Sequence, residues 1–401
     1  MTTSKRTRPQ RGTDRRLQLI DAATVLFAER GYPYVSVADI ARKAGVSTPT
    51  LYRHFADKGS LLLAAVQKTV DDLEASTDAA ALESSANPAE ALAVSITRLS
   101  ISSPHATSLW RWSGQHLSAD DNAEVVRRTR SVLRQWASAI RANRTDLTER
   151  ESMYLAGAAL SVVGSGAGRV VRQNPRNAEA TLVELVRRSI TLSPDQATVP
   201  SPIHHLDDEE PTRRDEILDA AARLFADHGF AGTGMDEIGA AVGITGPSVY
   251  KHFASKIAIL IGISQRSALR LEAGALAAYA ATADPSRRLD ALVDHYVDTV
   301  TSSPDLLVGF NSAFALVAEP QAAELLAAQR RYVARWITLL TEVNTAASAA
   351  GATNTGSRES AVLAVHAALA IVNDAVRLPR STPRPEFAAR MAYLMKGVMG
   401  V

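Results

Sequence analysis

The chain has 401 residues, of which 46% are hydrophobic and 21% charged, and it contains no cysteine. That length suits two helical domains better than one, and the absence of cysteine excludes a disulfide framework, a thiolate metal site and a thiol nucleophile, with a reducing cytoplasm as the natural location. The net charge of +2 is unevenly spread: residues 1–60 hold 11 Lys/Arg against 5 Asp/Glu, net +6, and residues 212–258 hold 5 against 6, net −1, so the positive field sits at the front.

The first 13 residues form a basic arm, with Lys5, Arg6, Arg8 and Arg11 placed for DNA backbone or minor-groove contact. They run into an amphipathic helix rather than the apolar core of a signal peptide, and no stretch reaches the ~18 apolar residues of a membrane span. Leu19, Ala22, Ala23, Leu26 and Phe27 recur at helical spacing, predicting a helix over 14–30 closed by Gly31. Ser36 and Asp39 form a capping box for a short helix ending at Ala44. Gly45 suits the following turn, and Ser47 or Thr48 caps a third helix with Pro49 in its first turn, ending near Phe55. Proline and glycine breaks then divide the chain into helices over 58–82, 88–101, 104–118, 121–143, 148–169 and 176–190. The domains read as a helix-turn-helix head over 14–58 and a helical body over 59–192.

Residues 193–211 carry four prolines and a short acidic run and read as a linker. Its adjacent His204 and His205 lack further ligands, so no metal site is expected. A second head follows over 212–256 and a second body over 257–401. The second head repeats the first: residues 15–62 align with 213–260 at a constant offset of 198, with 18 of 48 positions identical. Gly31-Tyr32 returns as Gly229-Phe230, and Tyr52-Arg53-His54-Phe55-Ala56 as Tyr250-Lys251-His252-Phe253-Ala254. Further on, Ser102-Ser103-Pro104 matches Ser302-Ser303-Pro304, and Trp136 matches Trp336. The repeated object is a whole unit of roughly 190 residues. The fold class is all-α, with two tandem units.

Three helices with a tight glycine turn between the second and third form a helix-turn-helix, whose third helix enters the major groove. In the first head Thr48, Pro49, Thr50 and Arg53 are small or basic groups suited to base edges. Tyr52, His54 and Lys58 suit the flanking phosphates, joined there by Ser36 and Ser47 at the helix starts. The matching set is Thr245, Gly246, Pro247, Ser248, Tyr250, Lys251, His252 and Lys256. Leu51 and Phe55 are core pegs. Gly246 for Thr48 and Lys251 for Arg53 predict half-sites that differ in sequence.

The motif LFAxxG followed by xxIAxxAGVSxxxLYxHFxxKxxL, at Leu26 to Leu62 and again, with Gly239 and Val242 substituted, at Leu224 to Leu260, resembles the TetR family of bacterial regulators. The resemblance implies a DNA-binding transcriptional regulator, usually a repressor, with a double-stranded operator and a small effector as partners. Two fused units resemble the tandem TetR regulators of mycobacteria and other actinobacteria that control lipid metabolism. The last two helices of each unit would then join as an intramolecular pseudo-dimer, with a monomer or a dimer of such chains both open. A lipid, acyl thioester or steroid-like effector follows from the same resemblance. His105, Leu109, Trp110, Trp112, Gln115, His116 and Trp136 are candidate pocket residues of unit 1, and Leu307, Phe310, Phe314 and Trp336 of unit 2. No cofactor is expected. An enzyme is disfavoured, because His105 and His116 lack a paired carboxylate or nucleophile, and the glycines of 163–168 lack the lysine of a phosphate loop. A helical ligand-binding protein with weakened DNA binding is the alternative.

Overall fold

A computed structural model describes residues 10–82, 87–170, 175–198, 210–317, 319–350, 357–377 and 383–401; among these there is no strand. Unit 1 comprises α1 (Gln10–Arg30), α2 (Val37–Lys43), α3 (Thr48–Tyr52), α4 (Lys58–Leu82), α5 (Pro88–Ser102), α6 (Pro104–Ser113), α7 (Ala119–Ala142), α8 (Glu149–Val170) and α9 (Pro175–Thr191). Unit 2 comprises α10 (Arg213–Gly232), α11 (Met235–Ala241), α12 (Gly246–Val249), α13 (Lys256–Ala281), α14 (Pro285–Ser302), α15 (Asp305–Asn311), α16 (Ala313–Leu316), α17 (Ala322–Ala349), α18 (Arg358–Ala375) and α19 (Arg384–Met399). Several boundaries differ from the sequence-based reading. Helix α1 starts at Gln10, so residues 10–13 are helical rather than part of an arm, and the helix expected over 104–118 ends at Ser113, with a 3-10 turn at Gly114–His116.

Local chemistry sets the helix ends. Ser36 Oγ accepts from Asp39 N at 3.1 Å while the Asp39 carboxylate accepts from Ser36 N at 3.1 Å, a reciprocal cap for α2. Thr212 and Asp215 repeat it on α10. Pro88, Pro104 and Pro285 each open a helix, where the missing N–H has no helical acceptor to lose. The turn glycines recur in phase and in conformation: φ is 81° and 75° at Gly31 and Gly229, and 65° and 72° at Gly45 and Gly243. Side chains rarely adopt those angles.

Apolar burial separates into three clusters. One lies inside each head and the third runs through both bodies. The shared cluster contains Leu155, Val162 and Leu182 of unit 1 with Leu363, Val372 and Leu394 of unit 2, all of them buried. Helix α8 packs along α18, and α9 packs against α18 and α19, which joins the units as a pseudo-dimer within one chain. Gly166 admits Leu182 of its own unit, since a Cβ there would fall 2.5 Å from Leu182 Cδ2. Gly157 on the same helix, by contrast, has nothing within 4 Å of its missing Cβ. At the rim, Ser193 N donates to Tyr393 Oη at 3.3 Å, and Arg390 lies over the Tyr154 ring at 5.5 Å. The chain leaving unit 1 is therefore fastened to the last helix of unit 2.

Candidate nucleic-acid interface and effector cavity

Each head hangs its recognition helix on two buried pegs. Leu51 and Phe55 are buried in head 1, as are Val249 and Phe253 in head 2. Arg16 covers the Phe55 ring at 5.0 Å and Arg214 covers Phe253 at 3.9 Å, so a cation from the first helix braces each peg. With the pegs inside, the opposite face is outside. Ser47, Pro49, Tyr52 and Arg53 are exposed, with Thr48, Thr50 and His54 half-buried. In head 2 Thr245, Pro247, Tyr250, Lys251 and His252 are exposed and Ser248 is half-buried. Tyr52 and Tyr250 are 52% and 55% exposed, large aromatics left in water at matching positions of the two copies. At each helix start two hydroxyls pair: Ser47 with Thr50 at 2.8 Å and Thr245 with Ser248 at 3.0 Å.

Three residues read as phosphate contacts are engaged elsewhere. Lys58 Nζ donates to the carbonyls of Tyr32 and Val35 at 3.0 and 3.1 Å and sits 4.3 Å from the Tyr32 ring centroid. Lys256 repeats this on Phe230 and Thr233 at 2.7 and 2.8 Å, with Ala231 at 3.4 Å, which occupies all three of its donors. Burial lowers the pKa of both lysines. They clamp the loop after the first helix instead of facing DNA. The Ser36 hydroxyl gives its one hydrogen to the Asp39 carboxylate at 2.6 Å, so it caps α2 and has none left for a phosphate. The Ser36 bonds in turn hold the Asp39 carboxyl below its usual range. Gly246 is buried. Lys5, Arg6 and Arg8 lie outside the described residues; Arg11 is helical, and its side chain lies outside them too.

In unit 1 a cavity of about 80 Å³ lies between α4, α5, α6, α7 and α8, walled by Val70, Leu73, Ile96, Leu99, Ala106 and Leu160. Thr69, Ser100, Thr107 and Thr129 also border it, but each hydroxyl donates to a backbone carbonyl, of Ala65, Val163, Ser103 and Val125 respectively. Ser103 and Asp72 border it too, the Asp72 carboxylate being paired with Lys68 at 2.6 Å, and the surface that faces the gap is almost wholly apolar. The cavity is smaller than the roughly 150 Å³ that admits benzene in an engineered apolar cavity, so a larger occupant requires the walls to part.

None of the sequence-predicted pocket residues whose side chains are described lines this cavity. Trp136 is buried and donates Nε1 to Thr77 Oγ1 at 3.4 Å. Leu109 is buried in the core of head 1, and His116 stacks on Tyr32 at 5.0 Å, so both join the body to the head. His105 is half-buried. In unit 2 Trp336 is fully buried, Phe310 packs on the shared core, and Leu307 is half-buried. The side chains of Trp110, Trp112, Gln115 and Phe314, and the pair His204-His205, lie outside the described residues. The cavity walls escaped the sequence reading because ordinary aliphatic residues carry no sign of facing a gap. Among the described residues no group of three or more His, Asp or Glu is placed to hold a metal, and no helix is long and apolar enough to cross a membrane.

Comparison with known proteins matches the bacterial regulatory proteins of the tetR family at residues 19–65 and again at 217–263. The transcriptional activator FasR of Mycolicibacterium smegmatis is 34% identical over 113 residues, covering 28% of this chain and 50% of that protein. The transcriptional repressor KstR2 of Rhodococcus jostii is 44% identical over 59 residues, 15% of this chain and 29% of that protein. The chain thus spans half or less of the length of these relatives. Among solved structures, the ketosteroid transcriptional regulator KstR2 of Mycobacterium tuberculosis aligns with a TM-score of 0.39 at 21% identity, over 48% of this chain and 98% of that one. Both matched segments coincide with the two exposed recognition helices and their pegs, and the chain carries the helix-turn-helix head of the tetR family of bacterial regulatory proteins twice.

Proposed function

We propose that this protein is a cytoplasmic DNA-binding transcriptional regulator that reads two non-identical half-sites of one operator with two heads in a single chain. In this reading the heads comprise residues 14–58 and 212–256, and the bodies residues 59–192 and 257–401. The observation that carries it is the repeated face Pro49-Tyr52-Arg53 and Pro247-Tyr250-Lys251, exposed in both heads. A lipophilic effector in the unit 1 cavity is the proposed signal. Helix α6 supports this, because Ala106 and Thr107 border the cavity while Leu109, two and three residues on, is buried in the core of head 1. Parting the walls would move α6 and with it the head, releasing a repressor from its operator. The relatives include an activator and a repressor, so transcription from the bound promoter with and without the effector decides the sign.

Selection from a random duplex pool tests the central reading. Two unequal half-sites in register for heads about 34–36 Å apart are expected. Binding without sequence preference would favour a helical ligand-binding protein, a reading that the −1 charge of residues 212–258 keeps in view.

A further inference from the structure

In head 2 the space beside the start of the recognition helix is filled from the wrong helix. A Cβ placed on Gly246, the first residue of α12, would fall 1.8 Å from Asp236 Oδ1, 2.9 Å from its Cγ and 3.1 Å from its Cα. The Asp236 carboxylate, reaching over from α11, therefore occupies the volume of a side chain at 246. The matching pair in head 1 is Ala38 and Thr48, at the offset of 198, so there the side chain comes from α3 itself. A third exchange fits the same design. Gly239 stands where head 1 has Ala41, and a Cβ at 239 would lie 2.9 Å from Ile244 O and 3.0 Å from Gly246 N, both backbone atoms. Gly239 and Gly246 clear the space, and Asp236 fills it.

Asp236 is exposed and makes no hydrogen bond or ion pair among the described residues. It stands beside Thr245 and Pro247, both exposed. Head 1 thus offers a hydroxyl and a methyl at this spot, and head 2 a bare carboxylate with acceptors only. In the major groove an acceptor of that kind is satisfied by the exocyclic amine of cytosine and opposed by the acceptor edge of guanine.

We propose that Asp236 is a specificity-determining residue of head 2, selecting cytosine at one position of its half-site through the cytosine amino group. The inference rests on the reading of the protein as a two-headed DNA binder. It also changes the expectation for Gly246, which leaves the base contact to Asp236, and a G246T substitution alone has no room unless Asp236 moves.

The test uses the full chain and a pool of duplexes randomised at both half-sites, with D236A, D236N and the triple variant D236A/G239A/G246T. D236A is expected to lose about tenfold of the preference for cytosine at one position, leaving the other half-site untouched. D236N should shift that position toward adenine, whose edge offers a donor and an acceptor to an amide. The triple variant should replace the cytosine preference at that one position with the preference head 1 shows there, while Lys251 keeps the two half-sites distinct elsewhere. Thermal melting of each variant reports that the head is folded; if D236A melts early, D236N carries the test alone. Unchanged base preference, or tighter binding to all sequences alike, would overturn the assignment and show only repulsion of phosphates. Absence of any sequence preference in the intact chain would instead remove the two-headed reading on which the assignment stands.

Discussion

In unit 1 the walls of the cavity include Ile96 on α5. Counting back from the shared Ser-Ser-Pro, the matching residue on α14 is Tyr296, and the partner of Val132 is Tyr332. Tyr296 and Tyr332 stack on each other at 6.3 Å, both meet Trp336 edge-on at 5.8 and 6.1 Å, and Tyr296 Oη donates to Asn373 at 3.0 Å. Where one body keeps a gap, the other has aromatic rings. The link from body to head diverges as well. Arg266 on α13 holds Asp219 of α10 at 2.7 Å and grips Asp305 of α15 through two bonds of 2.7 and 2.8 Å, with Arg270 adding a third to the same carboxylate. The matching residue of unit 1, Lys68, reaches only Asp72 on its own helix. One body keeps a gap, and the other fills the matching place and adds an ion cluster between body and head, an asymmetry that a pair of identical subunits does not have.

The strongest test of this contrast is Tyr296→Ala. Removing a buried ring leaves a cavity, and a loss of about 3–5 kcal/mol in denaturant unfolding is expected. The reverse change, Ile96→Tyr, should cost far less because the space already exists, and should abolish uptake of an apolar fluorescent probe. Equal losses from the two variants would remove the contrast. Next in size, Arg266→Met leaves the Asp305 carboxylate, 2% exposed, with the single Arg270 bond in place of three, and should cost about 1.5–3 kcal/mol. Lys68→Met loses only a half-exposed pair on one helix, worth about 0.3–0.5 kcal/mol.

Capping sharpens the comparison at the heads. Ser36→Ala should destabilise by about 1 kcal/mol. Gly234 caps α11 with no side chain, and a Cβ there meets nothing within 4 Å, so Gly234→Ser should stabilise slightly in thermal melts. In DNA titrations, Arg53→Ala should reduce the slope of log affinity against log salt by about one. Lys58→Met should leave that slope in place while loosening the loop. The smallest effect concerns pH. Burial first, and then the charge of Lys58, hold the His116 pKa below its ordinary value. The fold therefore favours neutral His116; its contribution is complete above pH ~6.5 and is lost as the pH falls through the folded value. Leu316, buried at the matching place in unit 2, has no such dependence. A head 1 whose unfolding in mild acid is the same in wild type and His116→Leu would contradict this.

The heads were the legible part. Glycines at positive φ, the Ser36 and Thr212 caps and the buried pegs all follow from local rules acting on neighbours in sequence. What Lys58 does was not legible, because its carbonyl acceptors lie 23 and 26 residues away. Asp236 was passed over for a similar reason. The empty place at Gly246 can be read from the sequence, but the filling of it from α11 depends on how two helices meet. The walls of the unit 1 cavity were not legible for a further reason. Aromatic residues attracted the prediction, while aliphatic side chains and hydroxyls turned toward backbone carbonyls made the actual walls.

The fastening of Ser193 to Tyr393 and the seam of α8 against α18 have a consequence for how such a molecule responds to its own abundance. Ordinary two-subunit regulators must meet before they can grip, so their occupancy falls steeply on dilution. Here the second half arrives with the first at an effective concentration set by the tether. A cell holding a few copies would still have every one of them assembled, and a change in either half would be felt once rather than twice.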